Sequence, residues 1–91
     1  MSLVVSYDIA DDRRRSRVAK LMEDFGRRVQ YSVFDCILDE GKLQKLKRGL
    51  LKVIDPKEDS IRVYRLCQRD RESIEVIGRG TVREDEDVVV L

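Results

Sequence analysis

The chain contains no histidine. That removes the commonest general base, the commonest zinc ligand and the usual member of a catalytic triad. Any catalysis must therefore rest on carboxylates, tyrosine, lysine, cysteine or a metal ion. Only two cysteines occur, Cys36 and Cys67, and no Cys-x-x-Cys spacing is present, which argues against redox or thiolate–metal chemistry. Each lies in or beside an apolar run and is expected to be a small buried hydrophobe. No apolar run approaches the roughly 18 residues of a membrane span, and the N-terminal one stops at Ser6, too short for a signal peptide. The expectation is a soluble, cytoplasmic protein with no membrane partner. There are five aromatic residues in all. Phe25 is needed in the core, so too few remain for the exposed stacking platform that single-strand binders use. Internal repeats and low-complexity segments are absent as well.

Charge, by contrast, is abundant. The charged fraction of 41% exceeds the usual ~25% of globular proteins. Ninety-one residues make one domain with a thin core, for which dimerisation is a natural supplement. The net charge of +1 hides a segregation. Between Arg13 and Arg28 lie seven basic residues (Arg13, Arg14, Arg15, Arg17, Lys20, Arg27 and Arg28) against Glu23 and Asp24. From Arg83 onward lie Glu84, Asp85, Glu86 and Asp87 against a single arginine. The basic patch calls for an anionic partner, and the tail for solubility or a protein partner. The chain thus divides into a folded domain, 1–80, and an acidic tail, 81–91.

Within the domain, Leu3 to Asp8 alternates as a strand, with Leu3, Val5 and Tyr7 on one side and Val4 and Ser6 on the other. Asp11 or Asp12 suits a helix N-cap. Val18, Leu21, Met22 and Phe25 then follow the spacing of an amphipathic helix, with Arg13, Arg17, Lys20 and Asp24 opposite. Gly26 is expected to stop that helix. Residues 27–30 and 33–38 read as two strands turning at Tyr31-Ser32, and Asp39-Glu40-Gly41 as a break. Leu43, Leu46, Leu50, Val53 and Ile54 mark a second helix that ends at Asp55-Pro56. Residues 60–67 form a strand, 68–72 a charged connection, and 74–77 a short last strand. The order gives an α+β class: a ferredoxin-like βαββαβ sheet with both helices on one face and an additional C-terminal strand. That extra strand must cover an edge, in its own protomer or in a partner.

One carboxylate stands out. Asp8 closes the first strand, beside the arginine-rich start of the first helix, and Mg²⁺ takes oxygen ligands while usually accepting only one or two protein carboxylates. A twofold dimer would supply a second copy of Asp8 if its axis passes near the sheet rim. Tyr7 is a half-buried strand aromatic, or a stacking surface or hydrogen-bond donor beside the metal. Arg13, Arg14, Arg15 and Arg17 oppose the positive end of the helix dipole, a small penalty that favours phosphate binding over capping. The basic residues of the second helix read as ordinary surface. Backbone recognition of a duplex by a basic surface fits this composition.

Val-Val-Ser-Tyr-Asp-Ile at 4–9, Asp-Asp-Arg-Arg-Arg at 11–15, Arg-Val-Gln-Tyr-Ser-Val-Phe at 28–34 and Ile-Gly at 77–78 together resemble the small CRISPR-associated adaptation protein, the "Cas two" family, partner of the spacer integrase. The resemblance spans about residues 1–80. It implies a ferredoxin-like homodimer in which the final strand, 74–77, adds to the partner's sheet. It also implies that Asp8 faces its twin across the dimer groove and ligates Mg²⁺. The matching positions are Tyr7, Asp8, Arg15, Arg17, Arg28 and Phe34, of which Asp8, Tyr7 and Phe34 would be catalytic. Arg28 would join Arg13, Arg14, Arg15 and Arg17 in binding nucleic acid, a DNA protospacer or single-stranded RNA. The family is described as metal-dependent endoribonucleases or deoxyribonucleases that also bridge integrase dimers. A purely structural DNA-bridging adaptor, and a small-ligand regulatory domain on the same fold, are the competing readings. Val88 to Leu91, apolar at the end of the acidic tail, would be a docking segment for the integrase.

Overall fold

A computed structural model describes residues 1–80. The expectations for the acidic tail, including docking by Val88 to Leu91, lie outside the described residues. The elements follow the order β1 (Ser2–Asp8), α1 (Asp12–Glu23), β2 (Gly26–Gln30), β3 (Val33–Ile37), α2 (Glu40–Val53), β4 (Ser60–Leu66) and α3 (Gln68–Glu72). The four strands form one antiparallel sheet in the order β2-β3-β1-β4. This is the ferredoxin-like arrangement that the element order predicts.

Alternation in β1 decides which side of the sheet is covered. Leu3, Val5 and Tyr7 are buried, whereas Val4 and Ser6 are only half-buried. The register aligns Val5 with Phe34 on β3 and with Val63 on β4, so one row of apolar side chains crosses the sheet. Val18 and Met22 of α1, and Leu43, Leu46 and Leu50 of α2, complete the core over that face. Gly49 sits where the helices meet: a Cβ there would lie 3.0 Å from Leu21 Cδ2. The penalty of a mid-helix glycine is thereby offset by closer helix packing.

The caps explain where the helices begin. The Asp11 side chain accepts from the Arg14 backbone N–H at 2.9 Å, and that of Asp39 from Lys42 at 2.8 Å. Asp39-Glu40-Gly41, expected as a break, is thus the N-cap and first turn of α2. Gly26 likewise does something other than stop a helix. It opens β2, and a Cβ on it would come within 2.3 Å of the Asp35 carbonyl oxygen and 2.6 Å of Cys36 Sγ. Only glycine lets β2 approach β3 this closely. A register shift between Arg28 and Gln30 then makes a bulge just before the Tyr31-Ser32 turn.

Three local expectations change. The connection 68–72 is the short helix α3, with Asp70 accepting from the Cys67 backbone N–H at 3.0 Å. Cys67 is consequently exposed at a helix cap, while Cys36 is buried in the core as expected. Residues 74–77 join no strand of this chain's sheet and leave Ile77 95% exposed. An additional strand there requires a partner edge.

Candidate nucleic-acid and metal site

β1 delivers Asp8 to the sheet rim. Its Cα pairs with Ser60 on β4, and strand alternation sets its exposed side chain on the same side as Val4 and Ser6, away from the helices. The backbone beyond it is held from two sides. The Ala10 N–H donates to Asp59 Oδ1 at 3.1 Å, and Arg15 Nη1 donates to the Ile9 carbonyl at 3.1 Å.

The arginines at the start of α1 separate into two pairs. Arg14 turns into the protein: its Nε donates to Asp59 Oδ2 at 2.8 Å and its Nη2 to Asp59 Oδ1 at 3.2 Å, with Glu58 at 3.5 Å. Arg15 pairs with Asp12 as well as holding Ile9. Arg13 and Arg17, about one turn apart, are exposed and belong to none of the ion pairs among the described residues. Of the four arginines, these two are the ones free to meet a phosphate backbone, as is the exposed Lys20 further along α1.

Tyr7 and Phe34 lie on the covered side of the sheet. Their rings stack at 6.3 Å, and Phe34 is fully buried. Burial raises the Tyr7 hydroxyl above its ordinary range, against the opposing pull of Arg28. The Arg28 guanidinium lies 5.4 Å from the centre of the Phe34 ring, a cation–π contact that leaves the rest of this exposed residue at the edge strand. Neither aromatic shares the open side on which Asp8 stands. Their connection to it runs along the β1 backbone.

Sequence reasoning overlooked Asp59. Its side chain is wholly inaccessible, and it takes hydrogen bonds from Arg14, Ala10 and Asp55, the last at 2.9 Å. The Arg14 hydrogen bond is the chief reason that its carboxyl is lowered to about 2. The only hint in the sequence is an aspartate two residues after Lys57 in a loop, a signal no stronger than that of any turn acid.

On the open side, residues 74–80 run beside the sheet and leave a groove of about 1050 Å³. Val4, Val33, Tyr64 and Leu66 line it from the strands, and Ile74, Val76 and Ile77 from the segment. Half-exposed apolar side chains on a sheet face, beside an apolar segment that joins no ladder among the described residues, mark an interaction surface.

The family model described as CRISPR associated protein Cas2 matches residues 1–74, from β1 through α3. The chain belongs to the Cas2 family. It is 47% identical over 85 residues to a protein of Chloroflexus aurantiacus named CRISPR-associated endoribonuclease Cas2 3, covering 93% of this chain and 91% of that one. The crystal structure of Streptococcus pyogenes Cas2 superimposes with a TM-score of 0.77 at 37% identity, covering 86% of this chain and all of the other. A chain of a partial Cas6-RT-Cas1–Cas2 complex gives a TM-score of 0.75 at 25% identity, over 84% of this chain and 89% of that one. The family places the protein in CRISPR adaptation, and its curated relatives are named as nucleases. The ferredoxin-like fold expected from the element order and the family membership expected from the motifs are therefore both found.

Proposed function

We propose that this protein serves spacer acquisition as a homodimer that binds nucleic acid, joins the Cas1 integrase and cleaves phosphodiesters with Mg²⁺ held by paired Asp8 carboxylates. The observation that carries the reading is the position of Asp8: an exposed carboxylate at the rim of an apolar open sheet face, on a backbone held from both sides. Among the described residues no three histidine, cysteine, aspartate or glutamate side chains form a metal-holding group. Asp8 therefore has no cluster of side-chain ligands around it within its own chain, which fits Mg²⁺ at a site shared by two copies. When bound, the ion would supply Lewis-acid stabilisation of charge developing on the phosphate. The chain's own residues do the rest. Arg13 and Arg17, with Arg28 at the sheet edge, bind and orient the anionic backbone, and the β1–α1 turn keeps Asp8 in place. Tyr7 and Phe34 support β1 from below.

Dimerisation follows from what one chain leaves uncovered. The outer edge of β4 and the extended residues 74–77 both lack ladder partners among the described residues. Exchange of this segment between two copies would pair both and cover the open apolar face.

A second reading, a non-catalytic bridge for the integrase, is favoured by the same sparseness: Asp8 is the one ligand each chain would contribute, and the sequence has no histidine. Asp8→Ala decides between them. We expect the variant to fold, to lose Mg²⁺-dependent cleavage of single-stranded RNA and duplex DNA by at least about 100-fold, and to keep the dimer. Spacer acquisition that persists in cells carrying Asp8→Ala assigns the physiological role to bridging. Cleavage that persists in the purified variant refutes the Asp8 site.

A further inference from the structure

Four arginines open α1, and charge alone gives them one role. Their side chains do not support that. We propose that Arg14 and Asp59 form a clamp that positions the Asp8 turn, and that Arg14 stands apart from the nucleic-acid surface made by Arg13 and Arg17. The inference rests on the reading of Asp8 as the metal-holding carboxylate.

The clamp ties together two segments distant in sequence, the β1–α1 turn with the start of α1 and the loop between α2 and β4. Asp59 ends the loop between α2 and β4, and the next residue, Ser60, is the ladder partner of Asp8. Its carboxylate holds Arg14 by two nitrogens, at 2.8 and 3.2 Å, on the first turn of α1. The same carboxylate holds the Ala10 N–H at 3.1 Å, two residues past Asp8, and the Asp55 N–H at 2.9 Å at the far end of its own loop. Asp8 is thus held at its own position by the β4 ladder and, two residues further along the chain, by the Asp59 carboxylate. A metal ligand on a backbone held in this way loses little freedom on binding, which is how supporting hydrogen bonds raise metal affinity.

The charges point the same way. The Asp59 side chain is inaccessible, so its negative charge is tolerable only while a cation faces it. Arg14 supplies that cation in a two-pronged geometry that lysine cannot reproduce. An arginine committed in this way has its Nε/Nη2 edge taken by Asp59, with Glu58 3.5 Å from the same Nη2, so a phosphate reaching its remaining Nη1 edge would meet two carboxylates beside it. Removing it would leave a buried carboxylate that must find another partner or shift the loop, and with it Ala10.

The test uses the full chain and Mn²⁺ alone as the metal probe, with binding read by electron paramagnetic resonance. Arg14→Gln and Asp59→Asn are expected to weaken Mn²⁺ binding by about tenfold while circular dichroism stays native, whereas Arg13→Gln leaves it unchanged. In parallel, the salt dependence of duplex binding is measured. Arg17→Gln should reduce its slope by about 0.9, and Arg14→Gln should leave it unaltered. If Arg14→Gln lowers the salt slope as Arg17→Gln does, or leaves Mn²⁺ affinity untouched, the clamp is overturned. Equal Mn²⁺ binding by wild type and Asp8→Ala removes the metal reading instead. Amide exchange at Ala10 then decides the clamp, faster exchange in Arg14→Gln supporting it and unchanged exchange refuting it. Should Arg14→Gln fail to fold, Arg14→Lys, which keeps the charge but not the fork, takes its place in every measurement.

Discussion

Asp59 shows how much a single side chain can hold that no local pattern announces. Its carboxyl sits at about 2, chiefly because Arg14 donates to it. A group whose folded value lies below its unfolded one stabilises the fold above the unfolded pKa of about 3.9, and that contribution is lost as pH falls toward 2. Acid unfolding of the wild type should therefore steepen between about pH 4 and 2. Asp59→Asn should be less stable at neutral pH and show a flatter profile across that window, as measured by thermal melts at several pH values. Asp8 could be located from sequence because strand alternation and the turn after it are local signals. Asp59 could not, because its partner lies 45 positions away. The same distance explains why Arg14 looked equivalent to Arg13: their neighbours in sequence are alike, and only the fold brings a carboxylate to one of them.

At the level of elements, periodicity found the two long helices, α1 and α2, and all four strands of the sheet but not the short α3, and the other differences arise where tertiary contact overrides local habit. Gly26 resembles a helix stop, yet it is fixed by the passage of β2 over Asp35 and Cys36. Gly26→Ala should cost about 1–3 kcal/mol in denaturant unfolding, since the backbone oxygen it meets cannot swing aside. Phe34 is a firmer anchor still. It is fully buried, with Tyr7 stacked on it and Arg28 against it. Phe34→Ala should cost about 3–5 kcal/mol. Any loss of nucleic-acid processing in that variant should track its loss of folded protein, which activity normalised to the folded fraction will reveal. Residues 74–77 have the composition of a strand, but a strand exists only as a member of a ladder, and they join none among the described residues.

The whole molecule is a sheet covered on one side. Helices α1 and α2 shield Leu3, Val5 and Phe34, while Val4, Val33, Tyr64 and Leu66 face a groove of about 1050 Å³. With no second layer among the described residues, the open side and the β4 edge are expected to be satisfied by another copy. Sedimentation should give a dimer for the full chain, and removal of residues 74–91 should shift it to monomer. The unfolding midpoint of the full chain should rise with protein concentration, as linkage between folding and association requires. Family membership and ferredoxin-like topology were legible in the sequence because the motif around Asp8 lies along β1 and the motif ending at Phe34 lies along one β2–β3 hairpin, both short in sequence. The uncovered face was legible only as a pattern of alternation, without the partner that gives it meaning.

The two thiols are segregated by depth: Cys36 lies within the core, and Cys67 is exposed just past the end of β4. A maleimide spin label or fluorophore should therefore attach at one site per chain without any engineered cysteine. In an assembly of two copies, those labels would form a single pair beside the strand edges that are expected to meet. The separation between them becomes a ruler for how the copies are arranged, and its change on adding duplex DNA or integrase would report movement at that junction.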